Sequence, residues 1–263
     1  MAPTPQLQRF ARFARLLAHF AQGLATLAFR FGRYSSVRRG AEIQRWSRGF
    51  LRIAGVRVEH SGVPPASGLV VMNHISWLDI IVLNSVAPSR FVSKSEVARW
   101  PLVGYLCTKS GTLYIDRSRK TAARRTNQLI TDALVSGERV AVFPEGTTTV
   151  GDKLLHFHAA LLQPAIASEG KVTPIALRYL DPQDRRSPAV SYVGDETLVG
   201  SVWQLVSAKR TTARLEFGAP ELTAGRHRRE LAEALRGTIT RRLGLGNLDT
   251  PPGKHAGPRS SPQ

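Results

Sequence analysis

Cysteine is nearly absent from this chain of 263 residues, Cys107 being the single one. No intrachain disulfide can form, so the fold rests on its core, and nothing calls for an oxidising compartment. Acid is also scarce: 19 Asp+Glu stand against 37 Lys+Arg, a net charge of +18. The partners to expect are therefore polyanionic, such as anionic lipid, phosphorylated substrates or nucleic acid. No zinc-finger or RNP-like aromatic pattern accompanies the arginines, so nucleic acid is the least expected of the three. Long apolar runs are missing too. The uncharged stretch from Leu16 to Phe29 is 14 residues long and contains His19 and Gln22, against about 20 apolar residues for a spanning helix. A transmembrane helix stays open only if that stretch recruits its arginine-bearing ends. A G-x-S-x-G elbow is lacking, which sets serine-hydrolase chemistry aside, and neither a signal-peptidase site nor an apolar region close to Met1 predicts cleavage.

What is present fits one large α/β domain with an appendage: apolar residues make up 42% of the chain, in the range of globular proteins. The basic excess is concentrated. Residues 1–60 hold 11 Arg, no Lys and only Glu42 and Glu59, so 11 − 2 = 9 of the +18 lie there. In the same stretch Phe10, Phe13, Leu17, Phe20, Leu24, Leu27 and Phe31 follow at alternating intervals of 3 and 4, an apolar stripe on one helix. Ile43, Trp46, Phe50 and Ile53 repeat the pattern after a break at Gly32–Ser36. Residues 1–60 are thus expected to form an amphipathic two-helix hairpin. Its arginines and Phe/Leu face suit an anionic bilayer interface on the cytoplasmic side, held peripherally or monotopically.

From Gly68 the pattern changes to short apolar runs alternating with helical ones. Leu69–Met72, Leu113–Ile115, Val140–Phe143, Val172–Leu177, Ser191–Gly194 and Ala213–Phe217 read as strands. Lys120–Ser136, closed by Gly137, and Arg226–Leu243 read as helices. This rotation predicts an α/β domain over 61–246 with a largely parallel central sheet flanked by helices. Pro, Gly, Ser and charge dominate 247–263, a composition of disorder. Three polar clusters each follow an apolar strand: Asn73-His74, Asp116-Arg117 and Pro144-Glu145-Gly146-Thr147. The carboxyl ends of strands are where open α/β sheets bind ligands.

In the first cluster, "MNHISWLD", His74 and Asp79 are five residues apart. On one helix they would point about 140° away from each other, so the chain must turn between them. Ser76-x-x-Asp79 has the form of a capping box, with Ser76 as N-cap and Asp79 in the first helical turn. His74 in the preceding loop can then fold back over that turn. An aspartate accepting from one imidazole nitrogen fixes the tautomer and leaves the other nitrogen as a base. The plain alternative is a capping aspartate and an ordinary loop histidine. Asp116-Arg117 as a surface ion pair and Pro144–Thr147 as a turn are the corresponding alternatives. His156-Phe157-His158 has strand-type metal spacing but no third ligand in the sequence, so no metal is expected.

Asn73-His74 with Asp79 resembles the N-H-x-x-x-x-D motif of the glycerolipid acyltransferases, specifically the PlsC-type lysophospholipid acyltransferases. Gly111–Arg117, Val142–Thr147 and Val172–Leu177 resemble that family's second, third and fourth motifs in order, and Lys94 ahead of Trp100–Gly104 matches a basic position. The resemblance spans residues 68–178. It implies His74 as general base on the free hydroxyl of a lysophospholipid, oriented by Asp79. The acyl thioester would be acyl-CoA or acyl-carrier protein, taken as a substrate, and no cofactor is implied. Arg117 and Lys94 would hold the acceptor's phosphate, and Glu145, Gly146 and Thr147 would line the glycerol end. Backbone N–H groups at the start of the helix after Ser76 are the expected oxyanion donors. The implied reaction is acylation of 1-acyl-sn-glycerol-3-phosphate to phosphatidic acid. After Glu145-Gly146-Thr147 this chain continues Thr148-Thr149 where Arg or Lys is frequent, and His158 stands where Lys is frequent. Such a pattern also admits other lyso-lipids, lyso-ornithine lipid and lysophosphatidylcholine among them. A thioester hydrolase and a basic nucleic-acid-binding protein are the rivals from other classes.

Overall fold

A computed structural model describes residues 5–116 and 120–246. Arg117 and the tail over 247–263 lie outside the described residues. The chain opens with helices α1 (Gln6–Phe29) and α2 (Ser36–Ala54), paired as a hairpin. Small residues set the crossing: Gly23 backs onto Trp46 and Gly49 onto His19. Trp46 Nε1 donates to the His19 carbonyl at 3.1 Å, and the two rings stack. α2 ends at Gly55, whose φ of 79° supplies the left-handed C-terminal turn.

The stripe read from the sequence splits in the structure. Leu27 and Phe31 are buried, whereas Phe10 and Leu17 stay 61% and 57% exposed. A pattern averaging 3.5 residues drifts about 20° per heptad on a helix of 3.6, so the stripe winds off the buried face. Leu16, Gly23 and Leu27 form that buried face. Leu7, Phe10, Leu17 and Phe29 are exposed, and at 3.6 residues per turn they share an arc of about 120° on the other side. No helix among the described residues is long and apolar enough to cross a membrane.

Strand β1 (Val56–Ser61) follows and crosses the expected boundary at residue 60 to become the edge of the main sheet. The remaining elements are β2 (Gly68–Met72), α3 (Leu78–Val86), β3 (Arg90–Lys94), α4 (Val103–Lys109), β4 (Leu113–Ile115), α5 (Lys120–Val135), β5 (Arg139–Val142), α6 (Gln163–Ala167), β6 (Lys171–Leu180), α7 (Leu198–Ser207), β7 (Thr211–Phe217), β8 (Glu221–Leu222) and α8 (Arg228–Arg242). The sheet order is β1-β7-β6-β2-β5-β3-β4, with β8 beside β6. All pairings are parallel except those of β6 with β7 and β8. The expected α/β architecture with a largely parallel sheet is the one observed.

The central strands β2, β5 and β6 are mostly apolar because both faces are covered. Val70 and Met72 point to the layer made by α2, α3 and α7, and Leu69 and Val71 to the layer of α5, α6 and α8. Burial of each such side chain stabilises the fold by about 1.5–3 kcal/mol relative to exposure. Ser191–Gly194, expected as a strand, is a loop. Its backbone is engaged by the neighbouring loops instead of a sheet partner: Tyr192 donates its N–H to Ile75 and accepts from the Thr148 hydroxyl.

Candidate active site

Strands β2, β5, β3 and β4 run parallel side by side, so their carboxyl ends share one edge. Asn73-His74, Phe143–Thr147, Lys94 and Asp116 all follow from that edge. Asn73 terminates β2 by substituting its amide for the next backbone pairing: Nδ2 donates to the Leu177 carbonyl at 3.0 Å and Oδ1 accepts the Leu177 N–H at 2.8 Å. The main chain is thereby released from the sheet, and His74 begins a loop.

His74 Nδ1 lies 2.8 Å from Asp79 Oδ2. That oxygen also accepts the N–H groups of Ile75 at 2.7 Å and Ser76 at 3.0 Å, while Oδ1 accepts the Tyr179 hydroxyl at 2.8 Å. Asp79 is fully buried, yet its carboxylate is satisfied by these donors. Burial and the adjacent Asp79 push the Tyr179 phenol well above its ordinary value, so it remains a donor. Ser76 Oγ accepts the Leu78 N–H at 3.3 Å, but the N-cap of α3 is Trp77, one residue later than the sequence pattern implies, and it carries no side-chain cap. Holding the turn ahead of α3 and holding the histidine therefore belong to the same carboxylate and are not alternatives.

The His74 ring stacks on Phe143, centroids 3.9 Å apart and planes at 15°. Its Nε2 has no hydrogen-bond partner among the described residues, and the side chain is 19% exposed. One face packed, one nitrogen held and one nitrogen open is the arrangement a general base requires.

Glu145 differs from the expectation that it lines the substrate. It is 4% exposed, and its two carboxylate oxygens accept the N–H groups of His74 at 2.8 Å and Leu155 at 2.9 Å. Burial raises its pKa, and those two N–H groups partly oppose the rise. It braces the backbone on which His74 sits. Gly146 turns the chain at φ 72° with its N–H on the Phe143 carbonyl, and Thr147 is exposed at the rim. Thr149 closes the arrangement by donating its N–H to the His74 carbonyl at 2.9 Å.

Lys94 ends β3 exposed and in register with Ile115, next to Asp116; β5 and β3 stand between that cluster and Asn73-His74 in the sheet. Of the backbone N–H groups expected as oxyanion donors, that of Leu78 is engaged by Ser76 Oγ and that of Asp79 by the Ser76 carbonyl. No group of three His, Cys, Asp or Glu side chains able to hold a metal occurs among the described residues.

Residues 55–178 match the model of the family described as Acyltransferase. A lyso-ornithine lipid O-acyltransferase of Pseudomonas aeruginosa is 35% identical over 241 residues, 86% of this chain and 90% of that protein. The chain belongs to this acyltransferase family. A 1-acyl-sn-glycerol-3-phosphate acyltransferase of Neisseria meningitidis is 39% identical over 153 residues, which is 58% of the chain and 60% of the relative's length. The acyltransferase fold also matches the crystal structure of the 1-acyl-sn-glycerophosphate acyltransferase PlsC from Thermotoga maritima, with a TM-score of 0.64, 20% identity, and coverage of 90% of this chain and 96% of that one.

Sequence reasoning missed three parts of this acyltransferase site. Tyr179 carried a usable signal, since a tyrosine inside a buried strand needs a partner for its hydroxyl. Phe143 was read as strand core, although it stacks on His74. The Thr149 bond to the His74 carbonyl is a loop-to-loop contact with no local pattern to reveal it.

Proposed function

We propose that this protein transfers an acyl group from a thioester to the free hydroxyl of a lyso-lipid in phospholipid biosynthesis. The first acceptor is 1-acyl-sn-glycerol-3-phosphate, giving phosphatidic acid. The observation that carries this is His74: Nδ1 held by buried Asp79, Nε2 open beside the carboxyl edge of the sheet. In the proposed reaction Nε2 takes the acceptor hydroxyl's proton as the oxygen attacks the thioester carbonyl. The tetrahedral adduct collapses with cleavage of the C–S bond, and the departing thiolate receives the proton from the imidazolium. One ester forms, one thioester breaks, and His74 returns neutral. A positioned base contributes about 10²–10⁴-fold, so orientation of the two substrates supplies a large share of the rest. The chemistry needs no cofactor.

Lys94 and Arg117 are assigned to the acceptor's phosphate, and Gly146 and Thr147 to its glycerol end; Glu145 is assigned to bracing His74. The hairpin of α1 and α2 is assigned to the anionic membrane surface that presents the lyso-lipid, at the cytoplasmic face, and the sheet domain from β1 to α8 to catalysis. Exposed Leu7, Phe10, Leu17 and Phe29 beside arginines support the membrane assignment. A second acceptor, lyso-ornithine lipid, is favoured by the relative that matches along 90% of its length and by Thr148-Thr149 in place of a cation. The deciding experiment incubates the purified protein with labelled oleoyl-CoA or oleoyl-carrier protein and a panel of lyso-lipids, beside His74→Ala. Acceptor-dependent lipid formation, lost in the variant, supports the reading and selects the acceptor. Thiol release without acceptor makes the protein a thioester hydrolase.

A further inference from the structure

Beyond the carboxyl end of β2 the neighbouring strand keeps going. β6 pairs with β2 as far as Met72 opposite Ile175, then runs on to Leu180 and turns back. Between that turn and the segment joining α7 to β7 lies a cavity of about 560 Å³, within the range of small-molecule sites. Arg185, Arg186, Lys209 and Arg210 line it, together with Pro182 and Pro188. The walls are fixed. Arg12 of α1 donates to the carbonyls of Val206 at 3.2 Å and Ala208 at 3.0 Å, and Asp181 holds the opposite turn through Arg185.

Its charges are under-compensated. Arg185 is paired with Asp181 at 2.9 Å, and Arg186 reaches Asp152 only at 3.7 Å with both side chains about half exposed. Lys209 and Arg210 have no ion-pair partner among the described residues. Ser207 also lines the cavity, and its buried hydroxyl lacks a hydrogen-bond partner there. The cavity adjoins the His74 loop. A β-carbon placed on Gly151 would meet both Ile75 at 3.1 Å and Arg186 at 3.9 Å, and Ile75 follows His74 directly.

We propose that this cavity binds the phosphorylated adenosine end of a coenzyme A thioester. The inference rests on the acyl-transfer reading above and names its donor. Proline and alanine surfaces suit a heterocycle, and a rim of four cations suits its phosphates. The site is concave, which fits a small molecule; the acidic helix of a carrier protein would need an open basic face. Arg186 of its rim and Ile75 of the His74 loop flank the same glycine, Gly151, which leaves the pantetheine arm to cross toward Nε2. Lys94 ends β3 on the other side of β2, past β5, so it belongs to a separate cationic group.

The test pairs binding with kinetics on the full chain, using Lys209→Ala/Arg210→Ala. Calorimetric titration with adenosine 3′,5′-bisphosphate reads the cavity without any turnover. The parent protein binds it, and the double variant binds at least about tenfold more weakly, the loss of roughly one charge-assisted contact. In turnover, the ratio of kcat/KM for oleoyl-CoA to that for the oleoyl thioester of N-acetylcysteamine falls about tenfold in the variant. No binding of the bisphosphate by the parent overturns the proposal, as does an equal loss with both thioesters. A raised KM for lysophosphatidate with the donor KM unchanged reassigns the cavity to a lipid headgroup and overturns it. A rate with oleoyl-carrier protein that alone depends on Lys209 and Arg210 does the same in favour of a protein donor. Failure of every thioester in turnover, with the bisphosphate still bound, refutes the acyl-transfer reading and leaves the cavity's ligand standing.

Discussion

Asp79 Oδ2 lies 2.8 Å from His74 Nδ1, and the same oxygen accepts the backbone N–H groups of Ile75 and Ser76. One buried carboxylate thus orients the imidazole and shapes the loop that carries it. The two functions separate by mutation. His74→Ala is expected to lower kcat by about 10²–10⁴ while costing only about 1 kcal/mol of stability, since no buried polar group loses its partner beyond the shared Asp79 oxygen. Asp79→Asn is expected to lower kcat by a comparable factor and also to destabilise the fold by about 1–3 kcal/mol, because an amide nitrogen must face donors. Urea denaturation beside single-turnover kinetics checks both; equal stability of the two variants would sink the shared-carboxylate account.

Tyr179 donates to the other oxygen of the same carboxylate at 2.8 Å, and its phenol titrates well above 10.0 for reasons of burial and the nearby Asp79. In the unfolded chain the phenol releases its proton near 10.0, so above that pH the unfolded state binds fewer protons than the native one. Stability contributed by this group is present below that pH and declines as pH rises past it. Tyr179→Phe should therefore be less stable than the parent by about 1–3 kcal/mol near neutrality. The gap should narrow above about pH 10. Urea midpoints at neutral and alkaline pH measure it, and a gap that stays constant with pH contradicts the assignment.

Glu145 holds His74 and Leu155 through one carboxylate. In Glu145→Gln the amide nitrogen confronts one of these N–H groups, leaving a buried donor unpaired at about 1–3 kcal/mol. On the bracing role kcat falls and the acceptor KM changes little, because the side chain touches backbone. A glycerol-lining role predicts the reverse, a raised acceptor KM with kcat preserved. Steady-state kinetics with lysophosphatidate distinguishes them.

The sheet was legible because its central strands are buried on both faces and read as largely apolar runs, as in Leu69–Met72 and Val172–Leu177. β3 was not: Arg90-Phe91-Val92-Ser93-Lys94 is half polar, and its Arg90 is tied to Glu138 and the Gly111 carbonyl in the fold. β1 was absorbed into the basic N-terminal unit because Val56-Arg57-Val58-Glu59 sits at a sheet edge where alternation with charge is tolerated. Within the site, the His74–Asp79 pair was readable since both partners lie in one turn. Glu145, Tyr179 and Thr149 act from up to 100 residues away, where sequence spacing carries no information on contact.

Arg117 lies outside the described residues, so its assignment to a phosphate rests on the motif and on Lys94 and Asp116 standing at the neighbouring strand ends. A forked guanidinium–phosphate contact contributes about 1.5–3 kcal/mol. Arg117→Ala should then raise KM for 1-acyl-sn-glycerol-3-phosphate by about 10- to 100-fold. The same variant should leave KM for lyso-ornithine lipid, which lacks a phosphate, within about twofold. Equal effects on both acceptors would show that Arg117 acts on the fold or on the donor.

The exposed apolar arc of α1 offers the final prediction. Leu17 and Phe29 are 57% and 74% exposed, on the side opposite buried Leu16, Gly23 and Leu27. Phe10 shares that arc but packs on Trp203 at 5.2 Å, so substituting it would confound binding with stability. Leu17→Asp/Phe29→Asp leaves the helix-packing face intact. Each apolar side chain entering the acyl boundary contributes about 1.5–3 kcal/mol, so the pair should weaken flotation with phosphatidylglycerol vesicles by at least about a hundredfold. Arginine attraction alone should persist in the variant and disappear as salt is raised toward about 1 M, where the screening length is near 3 Å. Activity on lyso-lipid dispersed in detergent should be retained, since the arc does not touch the His74 loop. Flotation unchanged by the double substitution would remove the hairpin from the membrane and leave it as a packing element on α3 and α7.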